Sequence, residues 1–95
     1  MAAYVIADLD VKNSAALENY RAKVPETIAK YGGRFLVRGG AHEVAEGTWN
    51  PTRVIMLEFP SMDAARRWYN SPEYKPLIAE RKAAAATDLI LVEGA

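Results

Sequence analysis

Between Gly33 and Pro60 the chain writes two short β-runs, Arg34-Phe-Leu-Val-Arg38 and Arg53-Val-Ile-Met-Leu-Glu-Phe59, with a polar loop between them and helix-forming segments on either side. This pair of strands constrains the fold more than any other stretch. Gly39-Gly40 lets the chain turn, and Gly47-Thr-Trp-Asn-Pro51 closes the excursion. Within the loop, residues His42 to Glu46 are expected to form a short extra strand. Pro60 stops the second run, because it has no N–H to give a ladder. The strands carry Arg34, Arg38, Arg53 and Glu58 among residues that otherwise suit a core.

The rest of the chain fits around that hairpin. Ala3 to Leu9 reads as a β-branched, apolar strand. Asp10 to Ser14 is a turn, with Asn13 or Ser14 as N-cap. Leu17, Tyr20, Val24, Ile28 and Tyr31 then recur at steps of three and four, the apolar stripe of an amphipathic helix. Pro25 falls inside that stripe and removes the bond to the Arg21 carbonyl, so a kink or a restart is expected. Gly32-Gly33 supplies the left-handed cap. Ser61 caps a second helix running to about Tyr69, with Asp63 favourably placed in its first turn. A single turn at Pro72–Lys75 and a further helix from Pro76 to about Ala86 follow, the alanines at 83–86 extending it. Asp88 to Glu93 is the last strand.

The order β-α-β-β-α-β is the ferredoxin-like motif, an α+β fold. Right-handed crossovers give one four-stranded antiparallel sheet in the order 4-1-3-2, with the helices on one face. The whole chain, 1–95, makes a single domain. Neither face of the sheet is polar throughout. Four strands about 4.8 Å apart and about 18 Å long present roughly 350 Å² of it. Left bare, that ranks with the largest apolar patches a monomer tolerates. A second copy is therefore expected to cover the open sheet face, giving a homodimer in the form of a dimeric α/β barrel.

Composition excludes several functions. Lys+Arg and Asp+Glu are both 12, so no net field draws nucleic acid or anionic lipid, and neither partner is expected. Cysteine is absent and histidine occurs once, which removes thiolate and multi-histidine metal sites. No metal or cofactor is expected. No apolar run nears the roughly 20 residues of a spanning helix, and the N-terminus lacks a signal pattern. The expected location is the cytoplasm.

Arg38-Gly-Gly40, Glu46-Gly47, Trp49, Arg53, Glu58-Phe-Pro-Ser61, Ala65, Trp68-Tyr69, Ser71-Pro-Glu-Tyr74 and Arg81 together resemble the domain of unknown function thirteen-thirty family, which belongs to the dimeric α/β-barrel superfamily. The resemblance spans nearly the whole chain and implies a homodimer whose two sheets pack face to face. It implies no activity, since the family is uncharacterised. Relatives in the superfamily include cofactor-free monooxygenases acting on polyketide-like aromatics, muconolactone isomerases and haem-binding enzymes, with sites often between sheet and helices. None of their catalytic sets carries over to residues here.

The residues themselves offer candidates, each with a plainer alternative. Arg38 is the first choice: a guanidinium at a strand end holds a carboxylate or phosphate bidentately, or else pairs with Asp8 or a partner chain. Glu58 is a base if desolvated, or a structural partner of Arg34 or of a tyrosine hydroxyl. His42 titrates near neutrality, or is a solvated loop residue. Tyr20, Trp68, Tyr69 and Tyr74 line an aromatic pocket or are ordinary core. Trp49 is a lid or a dimer anchor. Arg81 reaches a pocket or snorkels to solvent. The leading expectation is a small-molecule-binding homodimer, a cofactor-independent enzyme of oxygenase, isomerase or lyase type on a small apolar or aromatic acid. The alternative is a non-catalytic ligand-binding or dimerisation module.

Overall fold

Strands β1 (Ala3–Val11), β2 (Arg34–Arg38), β3 (Val54–Phe59) and β4 (Ala85–Glu93) pair antiparallel in the order β2-β3-β1-β4. This is the expected 4-1-3-2 sheet read from its other edge. The computed structural model describes residues 1–95. A 3-10 turn (Ala15–Leu17) leads into α1 (Glu18–Lys30), and α2 (Met62–Tyr69) and α3 (Lys75–Ala84) complete the helical layer. No helix is long and apolar enough to cross a membrane.

The covered face of the sheet, which composition could not identify, is the odd-numbered face of β1. Ala3, Val5, Ala7 and Leu9 are buried, while Tyr4, Ile6 and Asp8 between them are only partly so. Directly opposite residues of an antiparallel sheet share a face. Val5 lies opposite Leu57 and Leu91, and Ala7 opposite Ile55 and Leu89, so these rows form the floor of the core. Trp68, Tyr74, Phe59, Leu17 and Ile28 fill the space above it. The other face carries Tyr4, Ile6, Val54, Met56, Ile90 and Val92, with Ile90 59% exposed.

Local chemistry fixes the helix ends. Ser61 Oγ accepts from the Ala64 N–H (3.0 Å), the cap the sequence predicts for α2. Asn13 Oδ1 accepts from the Ala16 N–H and so caps the 3-10 turn. Ser71 joins α2 to α3 by donating to the Trp68 carbonyl (2.7 Å) and accepting from the Tyr74 N–H (3.1 Å). Pro76 sits in the first turn of α3, where its missing N–H has no partner to lose.

Of the kink or restart expected at Pro25, the restart does not occur: α1 runs through Pro25 as one element, and burial of Val24, Thr27 and Ile28 around it offsets the lost bond. Three other expectations need correction. The loop from Gly39 to Arg53 contains no extra strand at His42–Glu46. Strand β1 runs on to Val11 where a turn was expected. Strand β4 begins at Ala85, three residues early, so the last two alanines extend a strand rather than a helix. The last two corrections share a cause. Val11 pairs with Ala85, and the Lys12 and Asn13 N–H groups both donate to the Ala84 carbonyl (2.8 and 3.0 Å). Several ladder bonds outweigh a helix preference of a few tenths of a kcal/mol per alanine.

Candidate functional site

A cavity of about 70 Å³ lies between the covered face of the sheet and the helices. A single water needs roughly 10–15 Å³ by the same measure, so roughly five waters or one aromatic ring fit inside. Of its 17 lining residues 13 are hydrophobic, and the remaining four are all arginine: Arg21, Arg38, Arg53 and Arg81. No carboxylate lines it, although the chain has 12 acidic residues. The four ion pairs lie elsewhere, at Lys12–Asp10, Lys30–Glu73, Arg34–Glu58 and Arg67–Asp63. All four cavity arginines therefore lack an acidic partner.

A bulge aims Arg38 into this space. Phe35 lies opposite Leu57, but Val37 rather than Leu36 lies opposite Met56, so Leu36 is the extra residue. Strict alternation from Phe35 would put Arg38 on the open face. The added residue reverses the parity and sets it opposite Ile55, on the cavity side. Its guanidinium lies 4.1 Å from the centre of the Phe35 ring. Arg53 approaches from β3's near end. Gly39 has φ +72°, so the turn requires glycine, and the Arg53 guanidinium lies against it where a Cβ would sit 2.5 Å from Cζ and push the side chain away. Asp8 is not paired with Arg38: it is on the other face, accepting from the Thr52 and Arg53 N–H groups (2.8 and 3.3 Å).

Arg81 forms the buried end. It is 2% exposed, and its Nη1 donates to the Tyr74 hydroxyl (2.6 Å), which lies 2.8 Å from the Tyr20 hydroxyl. Its Nε is buried with no partner. Burial raises the Tyr74 pKa well above the tyrosine range. Burial, the largest effect, opposes the charge on Arg81, and the neighbouring Tyr74 and Tyr20 act against it. Its place in the last turn of α3 adds a favourable helix dipole. Trp68 makes one wall, stacked on Tyr74 at 4.0 Å between ring centres. Its Nε1 donates to Thr27 Oγ1 (3.0 Å), which donates to the Val24 carbonyl (2.8 Å), so the wall is fixed and satisfied.

Of the residues singled out from sequence, Tyr20, Arg38, Trp68, Tyr74 and Arg81 come together here. Tyr69 packs on Trp68 and Tyr74 (ring centres 6.3 and 6.0 Å away) without lining the cavity. Glu58 is on the open face, accepting from Arg34 Nε (2.8 Å). His42 and Trp49 are exposed in the Gly39–Arg53 loop, Trp49 by 65%. Arg21, Arg53 and Phe35 also line the cavity and were not among the sequence candidates. Only Arg53 gave a signal, as a charge in an apolar run at the same sheet end as Arg38.

The fold is shared with several solved structures. A protein of unknown function from Rhodopseudomonas palustris superposes with a TM-score of 0.79 at 17% identity, over 99% of this chain and 82% of that one. A dimeric ferredoxin-like protein of unknown function from Jannaschia sp. CCS1 gives 0.70 at 13% identity, over 99% and 100%. SnoaB, a cofactor-independent oxygenase from Streptomyces nogalater, gives 0.67 at 16% identity, over 99% and 93%. No protein of curated function matches the chain. A family profile matches residues 2–95, so this chain belongs to the DUF1330 family, a domain of unknown function.

Proposed function

We propose that this chain works as a homodimer and binds a small apolar or aromatic acid in the cavity. Arg38 and Arg53 hold the carboxylate, and Tyr20, Phe35, Trp68 and Tyr74 pack against the apolar body. The observation that carries this reading is the lining itself: an apolar cavity in which every non-hydrophobic residue is an arginine, with no acid among them. Of the four, Arg81 is buried and Arg53 partly so, while Arg21 and Arg38 reach solvent; an anionic ligand supplies the counter-charge that no acid gives them. A guanidinium also matches a carboxylate bidentately. The pull is local, because the chain as a whole is neutral.

The homodimer reading rests on the open face, where Ile90, Val92 and Leu36 are exposed, and is supported by the dimeric relative from Jannaschia. The finer form of the functional reading is a cofactor-independent enzyme, of oxygenase, isomerase or lyase type. The likeness to SnoaB supports it. So does the Tyr20 hydroxyl, a proton-bearing group on a residue that lines the cavity.

Calorimetric titration of benzoate into the wild type and an Arg38→Ala variant tests the binding reading. Saturable binding is expected, weakened about tenfold or more in the variant, as befits loss of a charge-assisted hydrogen bond. Absence of binding, or equal affinity in the two proteins, overturns it. Mass spectrometry of the recovered acid then separates an enzyme from a binding module.

A further inference from the structure

We propose that the buried end of the cavity is a second polar subsite, formed by the Tyr20 hydroxyl and Arg81 Nε, which takes an oxygen acceptor of the ligand. The ligand class narrows accordingly, to an aromatic acid carrying a phenolate or carbonyl oxygen remote from its carboxylate. This inference rests on the reading that the cavity binds an aromatic acid through Arg38.

The hydrogen-bond chain has one consistent direction. Arg81 only donates, so the Tyr74 oxygen accepts at 2.6 Å. Tyr74 is fully buried, and its own proton needs an acceptor; an unmet buried donor costs about 1–3 kcal/mol. The Tyr20 oxygen, 2.8 Å away, is that acceptor. The Tyr20 proton is then left over, on a partly buried ring that lines the cavity. Arg81 Nε, on a side chain 2% exposed and lining the same cavity, is the other unused donor. Two donors and no acceptor select an oxygen with lone pairs. The permanent charge on Arg81 selects one bearing negative charge. The exposed Arg38 at the solvent end and the buried Arg81 at the other make the two ends chemically distinct.

The test compares 4-hydroxybenzoate with 4-methylbenzoate, which differ by a hydroxyl in place of a methyl, on the full chain at one protomer concentration. The wild type is expected to bind the hydroxy acid roughly tenfold or more tightly, the scale of a hydrogen bond to a charged group. The bound phenol should also ionise at lower pH than the free one, read from its ultraviolet absorbance. In Tyr20→Phe, which leaves the Arg81–Tyr74 bond in place, the ratio of the two affinities should fall toward unity. Arg81→Met should remove the ionisation shift.

If both acids bind equally and Arg38→Ala weakens both, the subsite is wrong and the carboxylate reading stands. If neither acid binds, both fall. A preference or an ionisation shift that survives Tyr20→Phe and Arg81→Met together also overturns the assignment.

Discussion

Replacing Arg81 with methionine should stabilise the ligand-free protein, or leave its stability unchanged, while abolishing the lowered ionisation pH of a bound phenol. The structure allows the balance to be worked. The wild-type guanidinium makes one charge-assisted bond, to Tyr74 at 2.6 Å, worth about 1.5–3 kcal/mol. Against it stands the unpartnered Nε, a cost of about 1–3 kcal/mol, so these two effects roughly cancel. What remains is a desolvated charge with no acid beside it. Its penalty is several kcal/mol, offset in part by the dipole of α3, worth at most about 2 kcal/mol. Methionine fills similar space, and Tyr74 keeps its bond to Tyr20. A net gain of about 1 kcal/mol is expected, which for a domain this size raises Tm by about 4–8 °C. Thermal unfolding at matched protomer concentration is the assay, since a dimer's Tm depends on concentration. A fall in Tm of similar size would show that Arg81 is a structural group whose bonds outweigh its burial, and would refute the reasoning.

Three further outcomes follow from other parts of the molecule. Gly39→Ala should cost about 1–2 kcal/mol, because alanine resists φ +72°, and should also weaken acid binding by displacing Arg53; denaturation and calorimetry read the two effects. Lys30, then a backbone N–H and then the Tyr31 hydroxyl, hold the Glu73 carboxyl down at about 2 from 4.5. A depressed carboxyl pKa gives stability that is present above the unfolded value and lost as pH falls from about 4.5 to about 2, so Glu73→Gln should flatten the acid limb of the stability profile in that window and nowhere else. Ile90→Glu, on the open face, should break the proposed homodimer, read as a halved mass in light scattering; a monomeric wild type or an unchanged dimer mass counts against that contact.

The order and type of the elements were legible because hydrophobic period changes cleanly from strand to helix and back, with Pro60, Gly32 and Ser61 marking ends. The α3–β4 junction was not, because Ala83–Ala86 suits a helix locally and only pairing with the extension of β1 decides otherwise. Five cavity residues were legible as aromatics and arginines on the right elements. The face of Arg38 was not, since a bulge at Leu36 leaves no mark in the sequence and inverts the parity on which a reading would depend. Glu58 looked like a desolvated base for a related reason. Both faces of β3 are apolar, and only burial of Leu57 and Phe59 reveals that Glu58 shares the open face with Arg34. The unpaired state of the cavity arginines is a fact of three-dimensional placement: the acids number as many as the bases, but none of them lines the cavity.

The most direct measurement is a crystal structure of the protein soaked in 4-bromobenzoate, with the anomalous signal of bromine locating the ring. A bromine peak inside the cavity among Tyr20, Trp68 and Arg81 is expected, with the carboxylate held by Arg38 and Arg53. Bromine found on the open sheet face or in the Gly39–Arg53 loop, with the cavity left to water, would contradict it.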